Sequence, residues 1–467
     1  MTVELTHLNG QTIAVFGLAR SGLATVRAAI AGGAAVVAWD DHAAARSRAD
    51  ALGARCEPIE TWNFHNLSSV VLSPGVPLTH PQPHPVVALA QAADVELICD
   101  IELLYRQIAG QIPIIGITGT NGKSTTTALL AHVFNHAGRR TIAAGNIGIP
   151  ALDINLNAGL DLIALELSSY QLDLLHDFRP DVAIWINISP DHLDRHGSMA
   201  GYIAAKNRIF ANQRPGDLAV IGIDEPEMAA VVAQLAERDN SPNICTVSVG
   251  QAAADVIAQP NGHITGLPTA ATKMLDLTAY PSLRGDHNWQ NALCVFAAGT
   301  HFDLEAAAMD AGMKTFSGLR HRMEILGHLG PVLVINDSKA TNAEAAGRAL
   351  STFENIYWLA GGQGKEDGIT ALQPILSRIS AAFLFGECAG EFASSLQGKV
   401  PVTVVDTLDQ AVPIAAQAAL ADGAEEPVLL FSPAAASFDQ FQNFEIRGEK
   451  FSELVTLLEG FCPTVGA

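Results

Sequence analysis

Residues 116–127, GITGTNGKSTTT, have the composition and spacing of a phosphate-binding loop. They follow an apolar run at residues 112–115. Backbone N–H groups at the junction of a strand, a glycine turn and a helix N-terminus form a cradle for anions. Lys123 adds a positive charge for the β- and γ-phosphates, and Ser124 or Thr125 offers a hydroxyl group to Mg²⁺. This pattern predicts that the chain binds ATP.

The spacing within this loop differs from the commonest phosphate-loop pattern. That pattern would require glycine at Ile117, whereas the chain reads TGTNGKST. The alternative interpretation is a surface turn that contains Gly-Lys-Ser by chance. The order of apolar strand, glycine turn and helical pattern, with the helix expected from about Ala128, favours the nucleotide loop.

Candidate metal and phosphate ligands follow the next two predicted strands. Glu166 closes the apolar run at residues 162–165, where a carboxylate could hold Mg²⁺ against the phosphates or lie in solvent at a strand end. His192 belongs to the loop at residues 187–196, which holds two acids, two histidines and an arginine. A lone histidine is more often structural, but loops carry function disproportionately, so His192 is interpreted as a metal ligand or a phosphate contact.

Two helical stretches contribute further candidates. Lys206 lies in the stretch 201–210, and taken alone a helix lysine is expected to be solvated. Asn288 and Asn291 lie one turn apart at the start of another helix, so they share a face. Their carboxamides could read a base edge or a phosphate oxygen, or they could cap the helix.

The last third of the chain carries charged and small residues around predicted strand ends. They lie at His321-Arg322, at 336–342 (NDSKATN), at 361–365 (GGQGK) and at 432–441 (SPAAASFDQF). Each signal is weak by itself. Together they indicate several polar groups at one edge of a sheet.

The elements that must position these residues indicate an α/β protein of three domains. Short strands at Thr12–Phe16, Ala35–Trp39 and Ser69–Leu72 alternate with alanine-rich helical stretches, which is typical of a parallel sheet. Further strands are predicted at 112–117, 160–165, 182–188, 218–223, 332–336, 355–360, 382–385 and 428–432. Residues 255–273 are interpreted as loops or a hairpin. The predicted domains are 1–100, 101–318 and 319–467.

The N-terminal domain begins like a Rossmann nucleotide-binding unit. The turn at residues 17–22, GLARSG, follows the first strand, and Asp40 follows the second about 20 residues on. Ala19 replaces the middle glycine of the usual motif. The turn therefore fits a phosphate-bearing ligand better than a nicotinamide cofactor, and a merely packed strand-to-helix turn remains the other interpretation.

Composition excludes several classes of protein. The chain of 467 residues has a formal net charge of −21, which argues against a nucleic-acid partner. No apolar run approaches the ~18 residues of a membrane-spanning helix, and the N-terminus does not resemble a signal peptide. The six cysteines show no Cys-x-x-Cys pairing, which favours reduced thiols in a cytosolic protein.

Seven motifs together resemble the Mur ligases, the ATP-dependent amino-acid ligases of bacterial peptidoglycan precursor synthesis. In order along the chain they are TGTNGKST, LELSSYQL, NISPDHLDRH, YIAAKNRIF, GDHNWQN, HR and NDSKATN. VFGLARSG, SPGV and SPAAASFDQFQNFEIRG are most similar to family members that join D-glutamate to UDP-N-acetylmuramoyl-L-alanine. The resemblance implies a Rossmann-like N-terminal domain, a central P-loop ATPase-like parallel sheet and a C-terminal Rossmann-like α/β domain.

The resemblance also implies a role for each matching residue. Nucleotide contacts would come from Thr120, Asn121, Gly122, Lys123, Ser124, Thr125 and Thr126, supported by Asn288, Asn291, Arg322, Asp337 and Lys339. The UDP-substrate would contact Leu18, Ala19, Arg20, Ser21, Asp40, Ser73, Gly75, Asn146 and His192. Two Mg²⁺ ions would be held by Ser124, Glu166, His192 and a carbamylated Lys206. D-glutamate would contact Thr341, Lys365, Ser437, Phe438 and Phe444.

In this interpretation Lys123, Glu166, His192 and Lys206 would be catalytic, and the protein would act as a monomer in the cytoplasm. A family ligase for another amino acid, or a folylpolyglutamate synthetase, would share the phosphate loop and the lysine segment. The N-terminal glycine turn alone suggests a dinucleotide-dependent oxidoreductase. A non-catalytic ATP-binding switch is the last alternative, and it would leave Asp337, Lys339 and Lys365 without a role.

Overall fold

The computed structural model describes residues 3–250, 253–266, 275–364 and 368–464. The chain divides into two compact units: residues 1–280 with 286–315, and residues 281–285 with 316–467. No helix among the described residues has the length and apolar character needed to cross a bilayer.

The first unit holds two sheets. Its strands are β1 Thr12–Phe16, β2 Ala35–Trp39, β3 Arg55–Cys56, β4 Ser69–Leu72, β5 Leu97–Ile98, β6 Ile114–Thr118, β7 Thr141–Gly145, β8 Leu162–Glu166, β9 Val182–Trp185, β10 Leu218–Gly222, β11 Asn243–Val249, β12 Val256–Ala258 and β13 Ile264–Thr265. Its helices are α1 Arg20–Ala31, α2 Ala43–Ala51, α3 Pro85–Ala92, α4 Asp100–Ile108, α5 Lys123–His136, α6 Ser169–Leu172, α7 Leu193–His196, α8 Met199–Asn207, α9 Glu227–Ala236, α10 Asp286–His301 and α11 Ala306–Thr315.

Strand order places the glycine loops at topological switch points. The first sheet runs β3-β2-β1-β4-β5 and is parallel, and the turn after its central strand β1 is GLARSG. The second runs β13-β12-β11-β10-β9-β6-β8-β7, with only the β12–β13 pair antiparallel. Because β6 lies between β9 and β8, the loops that follow these three strands meet at one edge, where open α/β sheets bind ligands.

The second unit contains one sheet with helices on both faces. Its strands are β14 Glu324–Leu329, β15 Val332–Asn336, β16 Ile356–Gly361, β17 Ile379–Phe385, β18 Val402–Val404, β19 Val428–Phe431 and β20 Phe461–Pro463. Its helices are α12 Ala343–Thr352, α13 Ala389–Leu396, α14 Leu408–Asp422 and α15 Phe444–Thr456. The order is β18-β17-β16-β19-β15-β14-β20, and only the pairs that involve β14 are antiparallel.

Alternation along β16 shows why this sheet is covered on both sides. Ile356 and Trp358 belong to a cluster with α12 and α13, whereas Tyr357 and Leu359 belong to a cluster with α14 and α15. Successive side chains of a strand point to opposite faces, so a continuous apolar run needs two apolar layers. The predicted α/β class with parallel sheets is confirmed.

Element boundaries differ from the predictions at a few positions. β6 begins at Ile114 rather than 112, since Pro113 has no N–H to donate to a ladder. β9 ends at Trp185 rather than 188, and α5 begins at Lys123 rather than near Ala128. The hairpin expected from residue 255 is formed by β12 and β13, and Lys273 lies outside the described residues.

The first two sheets are not separate compact units. One buried cluster includes Ile13 and Val71 of the first sheet together with Ile163 and Ala183 of the second. The division at residue 315 lies close to the predicted start of the last domain. The boundary proposed at residue 100 stays a prediction.

Candidate active site

The phosphate loop is shaped by two glycines and by contacts to Asn187. Gly119 and Gly122 have φ values of +156° and +80°, backbone angles that side-chain-bearing residues rarely adopt. Thr120 N donates to the Asn187 carbonyl at 3.1 Å, and Asn121 N donates to Asn187 Oδ1 at 3.0 Å. The loop is therefore anchored to the polar segment that follows β9.

Gly122 is also required because another element packs against it. A Cβ atom at this position would lie 2.3 Å from Asn291 Oδ1 on α10. The Asn291 amide donates to Asn288 Oδ1 at 3.3 Å, whereas Asn291 Oδ1 is buried and has no hydrogen-bond partner. The pair predicted to share a helix face therefore lies against the phosphate loop, and an acceptor atom there can receive a hydrogen bond from a ligand.

Two successive hydrogen bonds between side chains support the phosphate loop through Asn187. Asn187 Nδ2 donates to Gln290 Oε1 at 3.2 Å, and Gln290 Nε2 donates to Asp224 Oδ2 at 2.8 Å. Sequence reasoning missed Gln290 and Asp224. The available signals were the position of Asp224 just after β10 and that of Gln290 within GDHNWQN. The contacts themselves could not be predicted, because they join residues far apart in the chain.

Replacement of Gly122 by alanine is expected to weaken Mg-ATP binding because the new methyl group would displace Asn291 or the loop. Gly138 provides a matched control at the other end of α5: its φ is +81°, and nothing lies within 4 Å of the position that its new methyl group would take. Both substitutions should cost about 1 kcal/mol of stability through backbone strain. Calorimetry should show weaker ATP binding only for Gly122→Ala, and equal binding by both variants would contradict the packing argument.

Two lysines converge on one carbonyl of the loop. Lys123 Nζ donates to Gly119 O at 2.9 Å and to Thr120 O at 2.7 Å. Lys206 Nζ donates to the same Gly119 O at 2.8 Å. Burial, and then the neighbouring charge of Lys123, lower the pKa of Lys206 well below its usual value. The expectation that a helix lysine is solvated is wrong here, since Lys206 is only 1% exposed.

Glu166 presents a carboxylate to the same edge. It is the last residue of β8 and is paired in register with Ile117 of β6, immediately before the loop. Its Oε1 accepts a hydrogen bond from Asn146 Nδ2 at 2.9 Å, whereas Oε2 is buried with no partner. An orphaned buried carboxylate oxygen is costly, so this oxygen fits a cation ligand.

His192 completes the predicted metal set. It adopts a left-handed conformation with φ of +52° just before α7, and its ring centroid lies 5.0 Å from that of Tyr170. Burial lowers the pKa of His192 below its usual value, and the charges of Lys123 and Lys206 act in the same direction. A neutral imidazole can ligate a metal or accept a hydrogen bond.

The unmodified side chains supply few anionic metal ligands. In the part of the chain that the structure describes, no three histidines, cysteines or acids are close enough together to hold a metal ion. Of the predicted set, only Glu166 carries a negative charge, beside the Ser124 hydroxyl and the His192 ring. A carboxylate built on Lys206 would supply the missing anion.

The residues predicted for the UDP-substrate surround the edge of the first sheet. Leu18 N donates to Asp40 Oδ2 at 2.6 Å, and Ser73 Oγ donates to Gly17 O at 2.7 Å. Burial alone would raise the pKa of Asp40. Hydrogen bonds from the backbone N–H groups of Leu18 and His42 outweigh burial and bring the pKa below its usual value. Helix α1 begins at Arg20, directly after Ala19, and includes Ser21.

Two arginines join the loops of the first and second sheets. Arg20 donates to Gly148 O at 2.6 Å, close in sequence to Asn146. Arg195 donates to the carbonyls of Gly75 and Val76, both at 3.0 Å. The residues predicted for the UDP-substrate and the phosphate loop thus belong to one continuous set of contacts within the first unit.

The second unit carries the other predicted residues, and those that the structure describes lie near the edge where β15, β16 and β19 end. Asp337 Oδ2 accepts from Ser432 Oγ at 2.8 Å, and Lys339 Nζ lies 3.9 Å from the centre of the Phe444 ring. Ser437 is buried, and Phe438 is 69% exposed. Thr341 and Arg322 are half-buried, and Lys365 lies outside the described residues.

Asp337 should make stability fall with pH. Burial raises its pKa to about 7, above the value of about 3.9 in an unfolded chain. Between these values the folded state holds a proton that the unfolded state has lost, so raising the pH destabilises the fold by up to about 1.4 kcal/mol per unit. Denaturant unfolding from about pH 5 to 7 should show Asp337→Asn gaining stability relative to the parent. Parallel curves would contradict the shift.

Family models match most of the second and third predicted domains. The Mur ligase middle domain matches residues 117–299, and the Mur ligase glutamate ligase domain matches residues 321–434. The UDP-N-acetylmuramoylalanine–D-glutamate ligase of Caulobacter sp. (strain K31) is 46% identical over 97% of this chain and 97% of its own. The enzyme of the same name from Paramagnetospirillum magneticum is 45% identical over 97% of this chain and 98% of its own.

Solved structures agree at the level of the fold. The UDP-N-acetylmuramate–alanine ligase of Thermotoga maritima has a TM-score of 0.54 at 17% identity and covers 95% of this chain and 98% of its own. MurF from Acinetobacter baumannii has a TM-score of 0.56 at 16% identity and covers 97% of this chain and 92% of its own. The phosphate loop, the buried lysine and the acid at one sheet edge are consistent with these similarities. Because family models match both domains and relatives are 45–46% identical over nearly the whole length, this chain belongs to the Mur ligase family.

Proposed function

We propose that this chain is the ATP-dependent ligase that adds D-glutamate to UDP-N-acetylmuramoyl-L-alanine in peptidoglycan precursor synthesis. The observation that carries the proposal is the convergence of Lys123, Lys206 and the unpartnered oxygen of Glu166 beside the phosphate loop. The names of relatives that are 46% and 45% identical support D-glutamate as the amino acid.

The reaction has two steps at the substrate carboxylate: phosphoryl transfer from ATP, and then replacement of the phosphate by the amine of D-glutamate. The γ-phosphorus of ATP is attacked by a carboxylate oxygen of the L-alanyl group, and its bond to the β-phosphate bridging oxygen breaks to release ADP. The D-glutamate amine then attacks the acyl-phosphate carbon, loses a proton, and expels inorganic phosphate as the amide forms. Both steps bring anions together, so positioning and cationic stabilisation are the main requirements.

The chain's own residues meet these requirements in the first unit. Lys123 is positioned at the phosphate loop by its own carbonyl contacts, so its charge can offset that of the phosphates. Ser124, Glu166, His192 and a carbamylated Lys206 are proposed to hold Mg²⁺, which when bound neutralises the phosphates and the carboxylate during transfer. We propose that these four groups hold two Mg²⁺ ions between them.

Carbamylation of Lys206 is supported by its surroundings. Only a neutral amine reacts with CO₂, and burial lowers the pKa of Lys206 well below its usual value. The amine nitrogen forms a bond to the CO₂ carbon and loses a proton, which gives an anionic carbamate. The unpartnered oxygen of Glu166 and the carbamate would then face the same cation.

The amino-acid site is proposed to lie in the second unit. A dicarboxylic amino acid needs at least one cation with hydroxyl or backbone donors. Thr341, Lys365 and Ser437 offer these groups, and the aromatic rings of Phe438 and Phe444 are proposed to flank them. Lys339, whose charge lies over the Phe444 ring, is proposed to act on ATP together with Arg322 and Asp337.

Replacement of Lys365 by alanine should raise the KM for D-glutamate about tenfold or more, because the loss of a charge-assisted contact costs roughly 1.5–3 kcal/mol. The KM for ATP should change much less. Steady-state kinetics with each substrate varied in turn measures both constants. Lys399→Ala is the matched control in the same unit, and equal effects on the two KM values would remove Lys365 from this role.

An ADP-release assay with UDP-N-acetylmuramoyl-L-alanine and a panel of D- and L-amino acids tests the proposed function. We expect release above background with D-glutamate and little with L-glutamate or diaminopimelate. A preference for another amino acid would support a different ligase of the same family. Membership of the Mur ligase family does not favour the dinucleotide-dependent oxidoreductase suggested by the N-terminal glycine turn. A binding assay in which NAD does not bind would rule out that alternative.

A further inference from the structure

A buried arginine lies beneath the edge of the second unit's sheet. Arg447, in the first turn of α15, is 0% exposed. Its Nε donates to Ser338 Oγ at 3.2 Å and its Nη2 donates to Ser338 O at 2.8 Å. Its Nη1 donates to Ala435 O at 3.0 Å and to Gly361 O at 3.4 Å. All of these acceptors are neutral.

The three contacted residues belong to three neighbouring loops. Ser338 follows β15, Gly361 ends β16 and Ala435 follows β19, and the sheet order is β16-β19-β15. One planar guanidinium therefore ties together adjacent segments at the carboxyl edge. These same segments lead into the groups proposed to bind the amino acid.

The loops around this arginine are packed closely. Gln363 and Ala436 exchange backbone hydrogen bonds of 2.8 and 3.0 Å, which joins the loops after β16 and β19. Gly362 has φ of +134°, and a Cβ atom there would lie 2.2 Å from Ala436 O and 3.0 Å from Arg447 Nη1. A shift of the guanidinium would therefore move both loops.

Local structure by itself does not favour an arginine at this position. A cation in the first turn of a helix opposes the helix dipole, and Asn443 already caps α15 by accepting from Ile446 N at 2.8 Å. Among the described residues, no carboxylate lies within ion-pair distance of Arg447, and the charge of Asp439 acts on it only from further away. A buried charge with only neutral acceptors is costly compared with an apolar residue of the same size. The cost is explained if an anion near these loops benefits from the charge.

We propose that Arg447 is a positioning residue for the amino-acid site: its guanidinium fixes the three loops, and its charge, which forms no ion pair with a described residue, favours a dicarboxylic amino acid above them. This inference rests on the proposed function, because it takes the loops to hold D-glutamate. It adds a residue that makes no direct contact with the substrate and acts through Ser338, Gly361 and Ala435.

The test is a comparison of Arg447→Gln and Arg447→Lys with a half-buried arginine of the same unit. Arg348→Gln removes a surface ion pair to Glu344 and serves as the control. For each variant, kcat and the KM values for D-glutamate, ATP and the UDP-substrate are measured by ADP release. Thermal unfolding in the absence of substrates reports whether each variant is folded.

We expect Arg447→Gln to raise the KM for D-glutamate at least tenfold, with changes below about threefold in the KM for the UDP-substrate. Arg447→Lys, which keeps the charge and loses the planar fork, should lie between Arg447→Gln and the parent. Equal increases in every KM, or an unchanged KM for D-glutamate in a folded variant, would overturn the inference.

Two further measurements keep the test decisive. If Arg447→Gln fails to fold, Ser338→Ala is used instead, since it removes the hydroxyl group that accepts a hydrogen bond from Arg447 Nε. This substitution should also raise the KM for D-glutamate. An unchanged KM would overturn the inference. Activity of the parent with D-glutamate is measured first. Its absence would overturn the proposed function, whereas an active parent with insensitive variants would overturn only the role of Arg447.

Discussion

Replacement of Lys123 by alanine is expected to lower kcat for ADP release by a factor of about 10² to 10³, the usual cost of removing a group that stabilises developing charge. Lys123 is the first residue of α5 and is held over the loop by the carbonyls of Gly119 and Thr120. The phosphoryl group and the substrate carboxylate repel each other, and the loss of this cation leaves that repulsion less compensated. Initial rates with all substrates saturating measure the effect.

A surface lysine of the same unit provides the control for this variant. Lys314 is 51% exposed and pairs with Asp310, so Lys314→Ala removes the same charge from the unit with little expected effect on rate. Calorimetry with Mg-ATP separates binding from transfer, since a role in transfer requires kcat to fall further than affinity. Near-normal ADP release by Lys123→Ala would remove this residue from the mechanism.

Replacement of Lys206 by alanine is expected to abolish most activity, and short-chain carboxylates should restore part of it. The carbamate is proposed to supply an anionic oxygen beside Glu166, and a small carboxylate can enter the space that the truncated side chain leaves. Activity is measured with acetate or propionate added, and with chloride at the same ionic strength as the control. Rescue by chloride to the same extent would show that salt, rather than a carboxylate, is responsible.

The modification itself can be observed without relying on activity. Protein equilibrated with isotopically labelled bicarbonate should show a carbamate carbonyl resonance that Lys206→Ala lacks. Lys123→Ala provides a second comparison, because it removes the neighbouring charge that lowers the pKa of Lys206 and keeps the amine itself. An unmodified lysine in the mass and in the electron density of active protein would contradict carbamylation.

Some of the site could be predicted because it follows from strand ends. Glu166 and the phosphate loop lie at the ends of neighbouring parallel strands of the first unit, which brings them to one edge of that sheet. Asp337 directly follows an apolar strand of the separate sheet in the second unit. The alternation of apolar runs with helical stretches likewise predicted the α/β class. These signals are local, so the sequence carries them directly.

Burial of Lys206 could not be predicted from the general behaviour of lysine. The helix it belongs to buries Tyr202, Ala205 and Lys206, a spacing that places all three on one face. The side chain lies 4.7 Å from the centre of the Tyr202 ring. The helical periodicity therefore carried a signal, but the preference of lysine for solvent outweighed it in the prediction.

The supporting residues were missed because their contacts join distant parts of the chain. Gln290 bonds to Asn187, which lies 103 positions earlier, and Arg447 bonds to Ser338, which lies 109 positions earlier. Both residues lie within motifs that resemble the Mur ligases, but neither was assigned a role there. Such partners become visible only when the fold has brought the loops together.

The most direct test of the mechanism follows an oxygen atom. UDP-N-acetylmuramoyl-L-alanine carrying heavy oxygen in its carboxyl group is turned over with ATP and D-glutamate, and the released phosphate is analysed by mass spectrometry. If the carboxylate attacks the γ-phosphorus and the amine then expels phosphate, one labelled oxygen appears in each phosphate. Unlabelled phosphate at a normal rate of ADP release would contradict the acyl-phosphate mechanism.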